Sequence, residues 1–192
     1  MTSSDDVDGY RAARDELRRA GATVVDQDPV DAARRLAELD GLSALRAIMA
    51  GDIPPPPFGV LLGFEPVEVE EGRVVFAVEP GPQHYNPIGS VHGGLAATLI
   101  DSATGCAVHS TLPAGVAYTT TDLQVRYVRA IMRDTGRILC EGTVVHRGRT
   151  IATAQARVTA GDRLLAHGTA GVLILPPAAR TASTAPPASA SG

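Results

Sequence analysis

The chain of 192 residues has the length of one domain with additions. Hydrophobic residues make up 44% of it, and the core must be aliphatic because aromatic residues make up only 4%. A formal net charge of −4 argues against a nucleic-acid-binding protein, whose surface is normally basic. No run reaches the roughly 18 apolar residues that a membrane span needs, so we expect neither a nucleic acid nor a membrane as a partner.

The N-terminus and the cysteines indicate the compartment. The first residues, MTSSDDVDG, are acidic and polar, unlike a secretory signal. Cys106 and Cys140 lie in apolar segments without the spacing of a metal site, which is typical of buried, reduced thiols. We therefore expect a cytoplasmic protein that holds no metal and no resident cofactor.

The N-terminal third has the apolar spacing of helices over residues 10–20 and 30–50. In the second segment, leucine, isoleucine and methionine recur every three or four residues, which gives one apolar face. The following IPPPP ends a helix, because proline lacks the N–H donor and clashes with the preceding turn. We therefore divide the chain into a helical extension over 1–52, a central domain over 53–175 and a disordered tail rich in proline, alanine and serine over 176–192.

The central domain has the pattern of an α+β fold. Alternation around a Glu-Gly turn predicts a hairpin of strands over 67–70 and 74–78, and a long helix follows over about 91–111. Four runs rich in β-branched residues come next, with turns that predict a meander of antiparallel neighbours. These runs span 117–128, 136–145, 150–159 and 164–173. One helix with about five to six antiparallel strands is an α+β architecture.

Two glycines open the long helix, in the stretch NPIGSVHGGLAATLID. The first turn of a helix has unpaired N–H groups and the positive end of the dipole, and glycine has no side chain to hold a ligand's oxygen away. Gly93 or Gly94 is therefore suited to donate to an oxyanion, an interaction of roughly 3–4 kcal/mol in other enzymes. The alternative is that the glycines only relieve crowding where the helix meets the sheet.

Asp101 is a carboxylate in the apolar part of the same helix. The positions three and four residues away are Ala, Thr, Thr and Gly, so the helix itself offers no cation to pair with it. Burying such a charge is costly unless it is satisfied. The structural interpretation is a hydrogen bond to a neighbouring hydroxyl or strand, and the functional one is a base or nucleophile in an apolar cleft.

The spacing of these residues predicts a dimer. Gly93 and Asp101 are eight residues apart, so about 12 Å of helix separates them at ~1.5 Å per residue. Both cannot reach one reacting carbonyl from a single helix. If both are catalytic, Gly93 of one subunit meets Asp101 of another, in a symmetric dimer with two composite sites.

The stretches HYNPIGSVHGGLAATLIDSATGCAV and YTTTDLQVRYVRA resemble the hotdog-fold acyl-CoA thioesterases, specifically the PaaI-like branch of the phenylacetate pathway. The resemblance covers roughly residues 58–175, without the N-terminal helices and the tail. The motif has an asparagine six residues before the histidine of HGG and an acidic residue nine after it, here Asn86, His92 and Asp101. It implies a hotdog fold, in which a curved antiparallel sheet wraps one long helix, and a homodimer or a dimer of dimers.

The resemblance also implies roles for these residues. Asp101 matches the acidic residue that attacks the thioester or activates water, and Gly93 matches the glycine whose amide polarises the thioester carbonyl. Asn86 and His92 fall on positions that orient the thioester or the water near the helix start. The residues leave open whether Asp101 forms an anhydride or acts as a general base.

Two further assignments concern the strands after the helix. A serine or threonine that helps to hold the water matches Thr120, with Thr119 and Thr121 as alternatives because the preceding loop can differ in length. For the phosphates of coenzyme A we favour Arg147 and Arg149 of HRGR, because arginine's planar fork suits phosphate oxygens. Ordinary solvated charges are the alternative at both positions.

The predicted function is hydrolysis of an acyl-CoA to a free acid and coenzyme A, which is part of the substrate and not a cofactor. Gly94 is added as a substrate-binding residue beside Gly93. The alternatives are a non-catalytic acyl-CoA-binding or sensor protein and a hotdog hydratase or dehydratase. The sequence does not choose between aliphatic and aromatic acyl groups.

Overall fold

Three short helices precede the sheet in the computed structural model, which describes residues 8–9, 11–12, 15 and 29–176. The helices are α1 (Pro29–Ala37), α2 (Gly41–Ala50) and α3 (Pro57–Leu62). Most of the helix predicted over 10–20 lies outside the described residues. The same holds for the predicted tail, apart from residue 176.

The segment predicted as one helix over 30–50 forms two helices because Asp40 begins a new one. The Asp40 carboxylate accepts the backbone N–H of Ser43 at 3.0 Å, which is an N-cap. Gly51, with φ of 84°, ends α2 in the left-handed conformation that glycine adopts readily. The prediction of an unbroken helix is therefore wrong at residues 38–40.

Six strands form one antiparallel sheet in the order β1–β2–β4–β5–β6–β3. The strands are β1 (Phe64–Glu70), β2 (Arg73–Val78), β3 (Ala117–Tyr127), β4 (Ile138–Arg147), β5 (Ile151–Ala160) and β6 (Arg163–Leu175). Each predicted strand is present, with bounds shifted by a few residues. The α+β prediction is confirmed.

The prediction that the four later strands form a meander is wrong for β3. Strands β4, β5 and β6 do pair in succession, but β3 pairs with β6 and forms the edge of the sheet. Residues 128–137 connect β3 to β4, and an extended segment of that length easily spans the roughly 14 Å of three strand spacings. The edge position leaves most β3 residues exposed.

The long helix α4 (Gly93–His109) packs across the sheet. Its residues Leu99, Ile100 and Ala103 are completely buried. Gly142 of β4 permits this close approach, because a Cβ atom there would clash with the Ala103 carbonyl. None of the helices in the described part of the chain has the length and apolarity needed to cross a bilayer.

Helix α2 shares the core of the sheet. Leu45 and Met49 pack in the same buried cluster as Leu99 of α4. The Gly41 N–H donates to the Leu112 carbonyl at 2.9 Å, and a Cβ atom on Gly41 would clash with the His109 carbonyl. The start of α2 is thereby fixed against the C-terminal end of α4, which matters for the cavity described below.

Candidate active site

Asp101 lies half-buried on α4, and a threonine of the neighbouring strand holds its carboxylate. The Thr120 hydroxyl donates to Asp101 Oδ1 at 2.9 Å. Of the other two candidate threonines, Thr119 faces the opposite side of the sheet, and Thr121 donates to Asp122 at 3.3 Å. Thr120 is therefore the threonine of this group that contacts the carboxylate.

The contact with Thr120 is the hydroxyl partner that the structural interpretation of Asp101 expects. It satisfies one carboxylate oxygen, whereas Oδ2 has no hydrogen-bond partner among the described residues. The same residues form no ion pair with Asp101. Asp101 and Thr120 also line a cavity of about 500 Å³, so the carboxylate has both a fixed orientation and access to a ligand.

The two glycines at the start of α4 differ in their amide groups. The Gly94 N–H donates to His92 Nδ1 at 2.8 Å, so His92 is the N-cap of the helix and the Gly94 amide is already paired. The Gly93 N–H has no acceptor among the described residues. The first main-chain hydrogen bond to the His92 carbonyl comes from the Leu95 N–H. Gly93 therefore presents a free amide at the positive end of the helix dipole.

Gly93 is also crowded, as the structural interpretation of the glycine pair predicts. The Tyr127 hydroxyl donates to the Gly93 carbonyl at 3.1 Å, and a Cβ atom on Gly93 would lie 3.1 Å from the Tyr127 ring. The crowding is therefore present, and the role of the Gly93 amide as an oxyanion donor stays a prediction. Sequence reasoning missed Tyr127, because its contact depends on where β3 crosses the helix.

Asn86 shapes the loop that leads into α4. Its Oδ1 accepts the N–H groups of Ile88 at 3.1 Å and Ser90 at 3.2 Å, and its Nδ2 donates to the Ser90 hydroxyl at 2.9 Å. These bonds engage the side chain inside its own loop, in the manner of an Asx turn. The prediction that Asn86 orients the thioester stays a prediction.

His84, to which sequence reasoning gave no role, anchors the same loop. Its buried ring accepts the Gly81 N–H at Nδ1, 2.9 Å away, and therefore donates from Nε2 to the Leu62 carbonyl at 2.8 Å. The His84 carbonyl accepts the His92 N–H at 2.7 Å. Since His92 caps α4, His84 helps to fix the helix start.

Gly93 and Asp101 open into different cavities within one chain. Gly93, Asn86 and Tyr127 line a cavity of about 270 Å³, whereas Asp101 and Thr120 line the larger one. Because α4 is one continuous helix, about 12 Å of its axis separates the two residues. Within the described chain, the Gly93 amide and the Asp101 carboxylate therefore lie in separate cavities.

The two arginines chosen for phosphate binding are not near Asp101 in the chain. Arg147 and Arg149 are exposed at the turn after β4. Arg147 shares a register line with Thr120 across β5 and β6, and the three strand spacings amount to about 14 Å. Arg129 instead lines the Gly93 cavity, with a guanidinium N–H donating to the Leu164 carbonyl at 2.7 Å.

Burial shifts the pKa of several side chains on α4 and on the strands beside it. Burial raises the pKa of the Cys106 thiol to about 12, and it raises the pKa of Cys140 and Tyr118 as well. Burial lowers the pKa of His109. A thiol with a raised pKa is a poor nucleophile at neutral pH. In the described part of the chain, no group of three or more His, Cys, Asp or Glu residues is placed to hold a metal ion.

Several known proteins are similar to this chain in sequence. The family model described as Thioesterase superfamily matches residues 88–167. A protein of Halobacterium salinarum with a provisional esterase name is 46% identical over 72 residues, which are 36% of this chain and 46% of that protein. The chain thus spans less than half the length of that relative. Acyl-coenzyme A thioesterase 13 of Homo sapiens is 29% identical over 104 residues, which are 53% of this chain and 73% of the human protein.

Solved structures give the fold. An asparagine-to-aspartate mutant of the phenylacetic acid degradation protein PaaI from Thermus thermophilus superposes with a TM-score of 0.56 at 27% identity, over 61% of this chain and 97% of that one. The resemblance to hotdog-fold thioesterases, including the PaaI-like branch, is confirmed. The six-stranded antiparallel sheet around α4 is the hotdog fold.

Proposed function

We propose that this protein hydrolyses acyl-CoA thioesters to the free acid and coenzyme A, in sites that two subunits share. The observation that carries the proposal is that one helix presents a carboxylate to one cavity and an amide to another. We call each of these a half-site. One half-site has a carboxylate held by Thr120, and the other has a free amide at Gly93. The thioesterase names of similar proteins support the reaction class.

Asp101 drives the reaction in either of two ways. As a general base, it removes a proton from water while the water oxygen attacks the thioester carbonyl carbon. As a nucleophile, its own oxygen attacks that carbon, and water later hydrolyses the resulting mixed anhydride. In both routes the C–S bond breaks, coenzyme A leaves as a thiolate, and a proton taken from water restores its thiol.

The Gly93 amide stabilises the charge that develops on the carbonyl oxygen. A helix-start N–H aimed at an oxyanion is worth more in the transition state than in the ground state, because the negative charge is then localised on that oxygen. A single carboxylate and one amide form a minimal apparatus. It is adequate for a thioester because the thiolate is a good leaving group.

The exposed edge of β3 offers a way to join the two halves. Thr120 and Tyr127 lie opposite Val172 and Ala166, which are buried, so both side chains face α4. Antiparallel pairing of two β3 strands centred on Gln124 sets Tyr127 opposite the partner's Thr120 on the same face. Gly93, whose carbonyl holds Tyr127, then approaches the partner's Asp101.

The same register is chemically self-complementary. Thr121 lies in a β-bulge and has no partner in this ladder, so the pairing passes directly from Thr120 to Asp122. Asp122 then lies opposite the partner's Arg126 on the outer face, and Leu123 lies opposite the partner's Val125 on the helix face. Opposite charges and apolar pairs directly across a ladder stabilise it, so a dimer closed by β3 supports the composite site.

The test of the proposed function is Asp101→Asn, assayed by release of free coenzyme A from a panel of acyl-CoAs. We expect kcat to fall by roughly 10²- to 10⁴-fold, because the variant keeps the shape of the side chain and loses the base or nucleophile. Asp162→Asn, at the exposed turn after β5, is the control and should keep wild-type turnover. Undiminished release by Asp101→Asn would exclude the mechanism, and a wild-type protein that binds acyl-CoA without releasing coenzyme A would be a sensor.

A further inference from the structure

An apolar trough extends from Asp101 along α4. The cavity of about 500 Å³ is within the range of ligand pockets. Its floor is the face of α4 that carries Asp101, Gly105 and His109. Because eight residues separate Asp101 from His109, the trough continues for about 12 Å beyond the carboxylate.

One wall of the trough is the start of β3 and the turn before it. The wall runs from Thr120, beside the carboxylate, back through Tyr118 to Gly115. The Tyr118 ring packs on His109 at the far end, with centroids 5.3 Å apart. A Cβ atom on Gly105 would be 3.0 Å from the Tyr118 ring. The glycine therefore lets the Tyr118 ring lie close against α4 as part of the wall.

The roof of the trough comes from the three N-terminal helices. Leu36 of α1, Ile48 of α2 and Phe58 of α3 all line it. Phe58 is held by an edge-to-face contact with Phe64, at a centroid distance of 6.4 Å. These helices lie outside the segment over 88–167 that matches the thioesterase family model. The roof therefore lies outside the matched segment, as do β1 and β2 of the sheet.

The lining favours an uncharged tail. The residues that line the trough include one carboxylate, Asp101 at one end, and no lysine or arginine. Burial lowers the pKa of His109, which favours its neutral form. The remaining members are mostly aliphatic and aromatic side chains. An extended chain covers about 1.2 Å per bond, so the trough accepts about ten bonds beyond the carboxylate.

We propose that this trough binds the acyl tail of the substrate and that the N-terminal helices make the protein selective for unbranched medium-chain acyl groups of about eight to ten carbons. The inference rests on the proposed function, because hydrolysis at Asp101 requires the thioester carbonyl to lie at the near end of the trough. Shorter acyl groups leave much of the apolar lining in contact with water. Much longer ones extend beyond His109, where the apolar face of α4 that lines the trough ends.

The first test compares the wild-type kcat/KM for butanoyl-, decanoyl-, hexadecanoyl- and phenylacetyl-CoA. We expect the value for decanoyl-CoA to exceed those for the other three by at least tenfold, because six additional methylenes relative to butanoyl leave water. Equal values for butanoyl- and decanoyl-CoA would overturn the assignment of the trough, while leaving the hydrolase function in place.

The second test does not depend on turnover. The chain contains no tryptophan, so Phe58→Trp introduces one fluorophore in the roof, and Leu61→Trp introduces one on the same helix at a side chain that is 63% exposed and does not line the trough. We expect 10-bromodecanoic acid to quench Phe58→Trp at concentrations where 4-bromobutanoic acid does not. Leu61→Trp should respond equally and weakly to both acids.

Equal quenching of the two variants by 10-bromodecanoic acid would overturn the trough assignment. Selective quenching of Phe58→Trp in a protein that releases no coenzyme A would have a different meaning. The trough would then stand, and the proposed hydrolase function would fail. The two tests therefore separate the pocket from the chemistry.

Discussion

Gly93 and Gly94 are adjacent glycines, yet of the two only the Gly93 amide lacks an acceptor among the described residues, because His92 accepts the Gly94 N–H. The sequence could narrow the oxyanion donor to these two glycines and no further. The difference depends on the rotamer of His92, which no pattern of residue types encodes. Asp101 was easier to predict, since a carboxylate without a cation on an apolar helix is conspicuous in the sequence alone.

Gly93→Pro tests the amide directly. Proline is favoured at the first helical position, and His92, with φ of −60° and ψ of 131°, already has the conformation that a residue before proline adopts. The substitution therefore removes the N–H with little change in the backbone. We expect kcat for acyl-CoA hydrolysis to fall by roughly 10²- to 10³-fold.

Gly93→Ala is the matched control for this substitution. It adds the same Cβ atom, 3.1 Å from the Tyr127 ring, but keeps the N–H. We expect it to lose clearly less kcat than Gly93→Pro, because the added Cβ atom crowds the site but the amide remains. Equal losses in the two variants would show that crowding against Tyr127, and not the amide, accounts for the glycine.

The strands were predictable as elements and less so as neighbours. Alternation with a period of two placed β1 and β2, and runs of β-branched residues placed β3 through β6, all within a few residues of their bounds. Alternation also specifies which residues of a strand share a face. It carries no information on which strand lies beside which. The long connection over 128–137 allows β3 to lie at the edge of the sheet, but a connection of that length also permits other topologies.

In the N-terminal helices, too, the elements were predictable and the cavity that they help to form was not. The apolar spacing predicted a buried face, and Leu45 and Met49 do pack in the core. The break before α2 also had a signal, since Asp40 and Ser43 have the spacing of an N-cap carboxylate and the residue whose N–H it accepts. The trough had no such signal, because its lining comes from four helices and three strands in separate parts of the sequence.

The edge of β3 can be tested through its charges. Arg126→Asp would place two carboxylates opposite each other at both ends of the proposed β3–β3 ladder, where like charges destabilise the pairing. We expect the dimer dissociation constant from sedimentation to rise by about tenfold or more, with a parallel loss of hydrolysis at low protein concentration.

The double variant Asp122→Arg, Arg126→Asp restores opposite charges and should recover the wild-type dissociation constant. Arg157→Asp, on the same outer face but on the interior strand β5, is the control and should leave the dissociation constant unchanged. A dimer that tolerates Arg126→Asp as well as it tolerates Arg157→Asp would not be closed by β3 in this register.

At the scale of the whole molecule, three features are combined: the long helix, the edge strand and the N-terminal helices. The helix presents an amide to one cavity and a carboxylate to another. The edge strand β3 has a self-complementary register for pairing with the β3 strand of a second copy. The N-terminal helices cover the trough beside the carboxylate. Each feature has a separate physical origin. The composite site is the claim that links them, because neither half-site has the full apparatus within one chain.

Subunit complementation tests that claim most directly. Asp101→Asn and Gly93→Pro subunits carrying different affinity tags are mixed by unfolding and refolding, and the heterodimers are isolated and assayed. A composite site predicts that each heterodimer has one intact site, with Gly93 from one chain and Asp101 from the other, and about half the wild-type turnover per dimer. Heterodimers no more active than the two parent variants would contradict the composite site.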